Sequence, residues 1–360
     1  MKIPTCILFC ASFFLLATAC DTTEPGEPAE LFPAPVNEKI SELRYCCDDP
    51  FNEGPPVYGS GDYHLAEWSP GEIYTVIQLR KLTLEPRTSV PFVTGEEYIG
   101  SNAMYMTKSL TENKLYTVQV AVYGESVGRL DTYDLTSREF VSIRDSSYNI
   151  SSIRIRELQD GSLLKVYYSY GNTDTGLEAG YYRLRETGPP DELLLAHENP
   201  NGSRETINGF DLSPDGSTLL YPVHHAFVRG DVYGGPPPTL VRLNLSTGLR
   251  DTLPVAFNQQ QFLWARYHPG GEKLVVSNYP RNIVGIGYRS VDLDSMYIVD
   301  LNDYSRRALD TRTWVHYYSA DIFPDWSPDG NYLIYSSGVI FQSDLDIGTY
   351  SIYTMDMRVE

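Results

Sequence analysis

The side chains that could do chemistry in this 360-residue chain are six histidines, 47 acidic residues and five cysteines, and their spacing excludes more than it assigns. His64, His197, His224, His225, His268 and His316 contain no His-Glu-x-x-His arrangement, so the paired ligands of a helical zinc site are missing. His224 and His225 are adjacent, but neighbours on a strand face opposite sides and would not both chelate one ion. Asp292 with Asp294, and Asp344 with Asp346, put two carboxylates on one face of an extended segment. Calcium needs several more oxygen ligands and a glycine turn, which these segments lack. No Gly-x-Ser-x-Gly elbow occurs, which argues against a serine hydrolase. A carboxylate pair for glycoside cleavage is defined by its separation in space and cannot be picked from this many acids. The sequence therefore assigns no catalytic residue, no metal ligand and no cofactor.

Cysteine chemistry is the exception. Lys2 precedes an apolar run from Ile7 to Leu16, which ends in Ala17-Thr18-Ala19 directly before Cys20. This pattern resembles a bacterial lipoprotein signal. The resemblance implies that residues 1–19 are removed and that Cys20 carries a thioether-linked diacylglycerol and an N-acyl chain. Two or more chains make membrane attachment stable at about 0.8 kcal/mol per buried CH₂. The expected location is the bacterial cell envelope, periplasmic or surface-facing, with Asp21 leaving the choice of membrane open. Residues 20–39, with Pro25, Pro28, Pro33 and Pro35 among glutamates, are expected to be a disordered tether extending about 3.1 Å per residue. Cys46 and Cys47 are the cysteines left over. They are either a vicinal disulfide or two ordinary strand thiols, and no zinc spacing exists.

A formal charge of −19 argues against nucleic-acid binding, which needs clustered lysine and arginine, and against adsorption to anionic lipid beyond the anchor. The 28 tyrosines suit half-exposed strands and fit an all-β chain.

The elements that would position any site come from a repeat. Gly209-Phe210-Asp211-Leu212-Ser213-Pro214-Asp215-Gly216 and its following apolar strand align with Trp264 to Val276, through His268-Pro269-Gly270-Gly271. They align again with Pro324 to Tyr335, through Ser327-Pro328-Asp329-Gly330. Proline pre-sets the first turn residue, glycine supplies positive φ and apolar residues alternate on both sides, so each copy reads as a β-hairpin. Weaker hairpins span Met104 to Val118 and Ile153 to Tyr168. The turn positions Asn113, Gly161, Gly216, Gly271 and Gly330 lie 48, 55, 55 and 59 residues apart. Further strands are expected at Thr239 to Leu245, Ser295 to Leu301, Tyr350 to Met357, Asp191 to Ala196 and Asp251 to Val255.

Units of this length with four strands each read as blades. The motifs resemble the TolB-type, WD-like β-propeller repeat. That resemblance covers roughly residues 100–360 and implies a fold, with almost no information on activity. The expected architecture is all-β: residues 40–360 as a six-bladed β-propeller of four-stranded antiparallel blades. Trp68-Ser69-Pro70-Gly71 is either a shortened turn copy in the first unit, or Tyr63 to Trp68 and Glu72 to Leu79 are its second and third strands after Ile40 to Cys47. The last unit lacks an outer strand, for which a segment before residue 63 is the natural donor.

Tyr170 to Gly180, Phe227 to Pro238 and Pro280 to Asp294 exceed hairpin needs and are candidate binding segments. The expected function is a monomeric, membrane-anchored scaffold without catalysis that binds a protein or peptide partner. The alternative is a glycan-binding module or a hydrolase or lyase using the channel mouth.

Overall fold

Short alternating apolar segments bounded by Gly, Pro and Asp turns become strands in the computed structural model. It describes residues 37–43, 66–69, 72–75, 78–85, 92–101, 103–109, 111–120, 128–185, 188, 190–197, 209–223, 238–257, 261–280, 296–309, 319–339 and 350–358. These lie in a unit from Pro35 to Val359. The expectations for Cys20, Cys46, Cys47, His64, His224, His225, His316 and both Asp-x-Asp pairs fall outside the described residues. No described helix is long and apolar enough to cross a membrane.

Strand β1 is Asn37–Leu43. The first sheet holds β2 (Ala66–Ser69), β3 (Glu72–Thr75), β4 (Gln78–Glu85) and β5 (Phe92–Ser101). The second holds β6 (Ala103–Ser109), β7 (Lys114–Val120), β8 (Gly128–Asp134) and β9 (Phe140–Arg144). The third holds β10 (Ile150–Glu157), β11 (Leu163–Ser169), β12 (Gly180–Arg183) and β13 (Glu192–Ala196). The fourth holds β14 (Asp211–Leu212), β15 (Thr218–Val223), β16 (Thr239–Asn244) and β17 (Arg250–Thr252). The fifth holds β18 (Gln261–Tyr267), β19 (Lys273–Pro280), β20 (Met296–Asp300) and β21 (Arg306–Ala308). The last holds β22 (Ser319–Trp326), β23 (Tyr332–Val339) and β24 (Tyr350–Asp356), with β1 on its outer edge.

The expectation of a six-bladed propeller of four-stranded antiparallel blades is corrected by this connectivity. Five units are complete blades built from four consecutive strands. The last unit supplies only three, and its fourth place is filled from the other end of the chain, where Asn37 pairs with Met355 and Leu43 with Tyr350. The strand expected within residues 40–47 therefore does not belong to the first blade, and the described strand Asn37–Leu43 reaches into the segment expected to be tether. In the first blade, Ser69 pairs with Glu72, so β2 and β3 are the adjacent first and second strands of that sheet. Pairing β1 with β24 satisfies an edge that would otherwise be open.

Inner strands touch in succession: β2 with β6, β6 with β10, β10 with β14, β14 with β18, β18 with β22, and β22 with β2, which closes the ring. The core lies between neighbouring sheets. Leu164, Val166, Tyr168 and Tyr181 of the third sheet pack with Leu212, Leu219, Tyr221 and Leu243 of the fourth, and similar clusters join the second to the third, the fourth to the fifth and the fifth to the last. Middle strands are packed on both faces, so β7 and β11 are buried at consecutive positions. Each fully buried aliphatic or aromatic side chain contributes about 1.5–3 kcal/mol. Outer strands β9, β17 and β21 are mostly exposed.

The strand directions make the two ends of the ring different. Connections from first to second strand and from third to fourth strand share one end, and all the described ones are tight turns. Connections from second to third strand, and between sheets, share the other. Those include residues 224–238 and 281–295, so all three long segments attach at that end.

Candidate functional site: the ring axis and its two ends

The Ser-Pro-Asp-Gly turns are built from their own side chains. Ser213 Oγ accepts from Thr218 N at 2.9 Å and donates to Asp215 Oδ1 at 2.5 Å, and Asp215 Oδ1 accepts from Ser217 N at 3.0 Å. Ser327, Asp329, Asn331 and Tyr332 repeat the pattern. Pro214, Pro269 and Pro328 follow the first turn residue, while Gly216, Gly271 and Gly330 take φ of 70°, 87° and 72° and donate back to the carbonyls of Ser213, His268 and Ser327. In the middle copy the His268 ring replaces the Ser–Asp pair, with Nδ1 accepting from Gly270 N at 3.0 Å. The turns also interlock around the ring: a Cβ on Gly216 would meet Leu158 and one on Gly330 would meet His268, while Gly271 faces Pro214.

A second repeated turn, between third and fourth strands, was not read from the sequence. Asp134-Leu135, Asn244-Leu245 and Asp300-Leu301 each open one, and Oδ1 of the first residue accepts the N–H two residues on. The fifth residue takes positive φ in each: Arg138, Gly248 and Tyr304. The Asp/Asn-Leu recurrence was the available signal, hidden because two copies place a bulky residue where glycine is usual.

Chemistry-bearing groups converge on the axis. In four successive inner strands the residue two places before the first turn position is charged: Arg156, Asp211, Arg266 and Asp325. Asp211, buried, accepts from Arg154 Nε at 3.1 Å, from Tyr267 N at 2.9 Å and from Arg156 Nη2 at 3.4 Å, so it ties three sheets together. Burial pushes its carboxyl up, but the three guanidiniums of Arg154, Arg156 and Arg266 and the Tyr267 N–H outweigh this and hold it below the ordinary value. Arg266, only 1% exposed, donates to Phe210 O at 2.9 Å, to Ala265 O at 3.0 Å and to the Tyr105 hydroxyl at 2.8 Å, with its guanidinium 4.2 Å from the Trp264 ring centre. Tyr105 sits on β6, three sheets away around the ring from β18. Arg154 Nη2 likewise reaches Asp325 Oδ1, 3.8 Å away, from β10 to β22. Side chains thus cross the axis and fill it at this level.

Trp264 lies two residues nearer the long-connection end, against Phe323 at 4.6 Å and Tyr105 at 5.9 Å. Of the long segments, Tyr170 to Gly180 falls among described residues. An Asn172–Leu177 bridge closes it, and Asn149 and Asn172 side chains stitch it to its neighbouring connection. Phe227 to Pro238 and Pro280 to Asp294 lie largely outside the described residues. His197, which is described, packs edge-on to Tyr168 at 6.0 Å. Among the described residues no group of three His, Cys, Asp or Glu is placed to hold a metal.

No protein-family model and no curated protein matches the chain. Solved structures share its architecture distantly. A protein described as a TolB from Agrobacterium tumefaciens is 15% identical over 73% of this chain and 81% of its own, with a TM-score of 0.47. An oligogalacturonate lyase in complex with manganese is 14% identical over 81% and 76%, with a TM-score of 0.43. A hydrazine synthase from Kuenenia stuttgartiensis is 14% identical over 80% and 79%, with a TM-score of 0.44. Two of these three are enzymes by name. The sequence-based preference for a chain without catalysis is corrected on the fold alone, since this architecture serves enzymes and binding modules alike. Likeness at this distance goes with a TolB-like β-propeller fold and assigns none of these activities to the chain.

Proposed function

We propose that the chain is an extracytoplasmic propeller, anchored by lipid on Cys20, which presents its long-connection end to a ligand. The observation that carries this reading is the contrast between the two ends. At one, the connections described throughout are tight turns, and β1 enters there: Asn37 pairs with Met355, close to the last turn, whereas Leu43 pairs with Tyr350 at the opposite end. The described chain enters the ring at the tight-turn end, at Asn37, and the long connections attach at the opposite end. Longer connections on a rigid frame are where recognition is usually carried. The ligand is a glycan or other small molecule received at the mouth of the axis, whose aromatic and polar floor suits such a ligand, and chemistry on it belongs to the same reading.

Photo-reactive probes at positions 228, 233 and 284, compared with probes at 215 and 303 on the tight turns, test this in the native cell. Adducts from the first set and none from the second are expected. Equal labelling at both ends would refute the assignment of the binding end. A Cys20→Ser chain recovered from the soluble fraction, with lipid absent from its N-terminal peptide by mass, is the expected sign of the anchor.

A further inference from the structure

Away from the axis, between the outer strands of the first and second sheets, lies a cavity of about 190 Å³. Lys81, Glu97 and Ile99 line it from the first sheet, and Tyr133, Leu135 and Arg138 from the second and its β8–β9 turn. It offers many times the space one water requires, yet is smaller than the roughly 300–1,000 Å³ of a pocket for a drug-sized ligand. Register explains its composition. Lys81 and Glu97 are direct cross-strand partners on β4 and β5, as Arg242 and Asp251 are on β16 and β17. In both cases the fifth residue of the next sheet's turn between third and fourth strands reaches back to that pair. Tyr304 does so with a hydroxyl that accepts from Arg242 Nη2 at 3.2 Å, and Arg138 with Nη2 at 3.0 Å from Glu97 Oε1. Where the fifth sheet offers a phenol, the second offers a cation. The cavity is thus lined by two cations and one carboxylate, in a chain of net charge −19.

Arg138 occupies its place under strain. It holds φ of 61° where Gly248 stands in the fourth sheet's turn, and strain of this kind at a bulky residue points to a role for the side chain. The pair with Glu97 does not supply that role, because the two side chains are 68% and 43% exposed and an ion pair so placed holds weakly. Among the described residues the Arg138 guanidinium has no other ion pair or hydrogen bond, which leaves N–H groups for a ligand.

We infer that this cavity between the first and second sheets binds a small organic carboxylate. The Arg138 guanidinium takes the carboxylate, since its fork matches that group and charge-assisted hydrogen bonds are short and strong. Lys81 adds positive potential beside it, and a monoanion balances the surplus cation. Ile99, Leu135 and the Tyr133 ring, backed by Phe140 at 4.7 Å, receive the apolar body. The site stands apart from the long connections, and the inference does not depend on what that end receives.

Calorimetry on the whole chain tests it, with butyrate, benzoate and 3-phenylpropionate as probes and the corresponding amides as uncharged counterparts. At least one carboxylate should bind saturably, and at least tenfold more tightly than its amide. Arg138→Gly is the decisive variant. Glycine suits the positive φ, so this protein should melt no lower than the parent while carboxylate binding falls at least tenfold. Arg138→Lys, which keeps the charge and loses the fork, should weaken binding less than Arg138→Gly does. Arg242→Gln, at the equivalent place in the fourth sheet, should leave it unchanged. Amides that bind as tightly as their acids, unaltered binding in Arg138→Gly, or no binding of any of the three acids up to millimolar concentration would overturn the inference.

Discussion

Arg266 Nη2 donates to the Tyr105 hydroxyl at 2.8 Å from a strand three sheets away around the ring, so this one hydrogen bond ties β18 to β6 across the axis. Both side chains are buried, and Nη1 of Arg266 donates to the Phe210 and Ala265 carbonyls. Tyr105→Phe keeps the ring and removes the acceptor, leaving one guanidinium N–H unmet. A loss of about 1–3 kcal/mol is expected. Arg266→Met removes the cation beside two buried carboxylates and should cost more, on the order of 3–5 kcal/mol. Urea or thermal melts of the two variants check the order, and equal stability of Arg266→Met and the parent would contradict a role in ring closure.

Asp211 makes the same layer sensitive to acid. Burial alone would raise its carboxyl, but Arg154, Arg156, Arg266 and the Tyr267 N–H keep it below the ordinary 3.8. A carboxylate depressed in the folded state contributes stability that is complete above its unfolded value. That contribution is lost as pH falls through the lower folded value. Melting temperature should therefore fall steeply below about pH 4. Asp211→Asn should be less stable at pH 7 and show a shallower acid limb. Parallel acid limbs for the two proteins would rule out Asp211 as the titrating group.

Much of the frame was legible in the sequence because turns are local. Ser213-Pro214-Asp215-Gly216 and Ser327-Pro328-Asp329-Gly330 specify their hairpins within a few residues, and the outer-strand gap after Met357 pointed to a donor near the N-terminus. The identity of that donor, Asn37–Leu43, was not readable, because pairing across the whole chain leaves no local mark. The axial site was hidden for a related reason. Arg156, Asp211, Arg266 and Asp325 occupy equivalent places two residues before each turn, but they differ in sign, so an eye looking for repeated residues passes over them. Their partnership exists only once the ring closes and brings Arg154 toward Asp325 and Arg266 to Tyr105.

Gly330 and Gly161 have similar backbones and opposite surroundings, which separates two costs. Gly161 takes φ of 80° with nothing within 4 Å of where a Cβ would stand, while Gly330, at φ of 72°, would place a Cβ 2.3 Å from His268 Nε2. Gly161→Ala carries the left-handed strain alone, about 1–2 kcal/mol. Gly330→Ala adds a clash with a ring that Trp326 already holds edge-on at 4.8 Å, so it should be the more destabilising. His268→Ser restores the hydroxyl found in the flanking copies and clears the space, so most of the additional loss should disappear in the Gly330→Ala, His268→Ser double variant. Additive losses in that pair, measured by denaturation, would show that the two residues do not couple.

Tyr116 gives a signal at the alkaline end. Lys165, 3% exposed, donates from Nζ to Glu112 Oε1 at 2.8 Å and to the Tyr116 hydroxyl at 2.6 Å, and that hydroxyl donates to the second oxygen of Glu112. Burial, followed by the hydrogen bond to Glu112, pushes the phenol up to about 12 from an ordinary 10.0. A group raised in the folded state contributes stability that is complete below its unfolded value, and that is lost as pH climbs through the folded one. The link between the second and third sheets should accordingly hold to pH 10 and weaken between there and about 12. The ultraviolet difference between the parent and Tyr116→Phe during alkaline titration isolates this phenol from the other tyrosines. A midpoint near 12, together with loss of near-ultraviolet dichroism over the same interval, is the expected outcome. A midpoint at 10 would mean that burial and the Glu112 hydrogen bond do not act on this hydroxyl in solution.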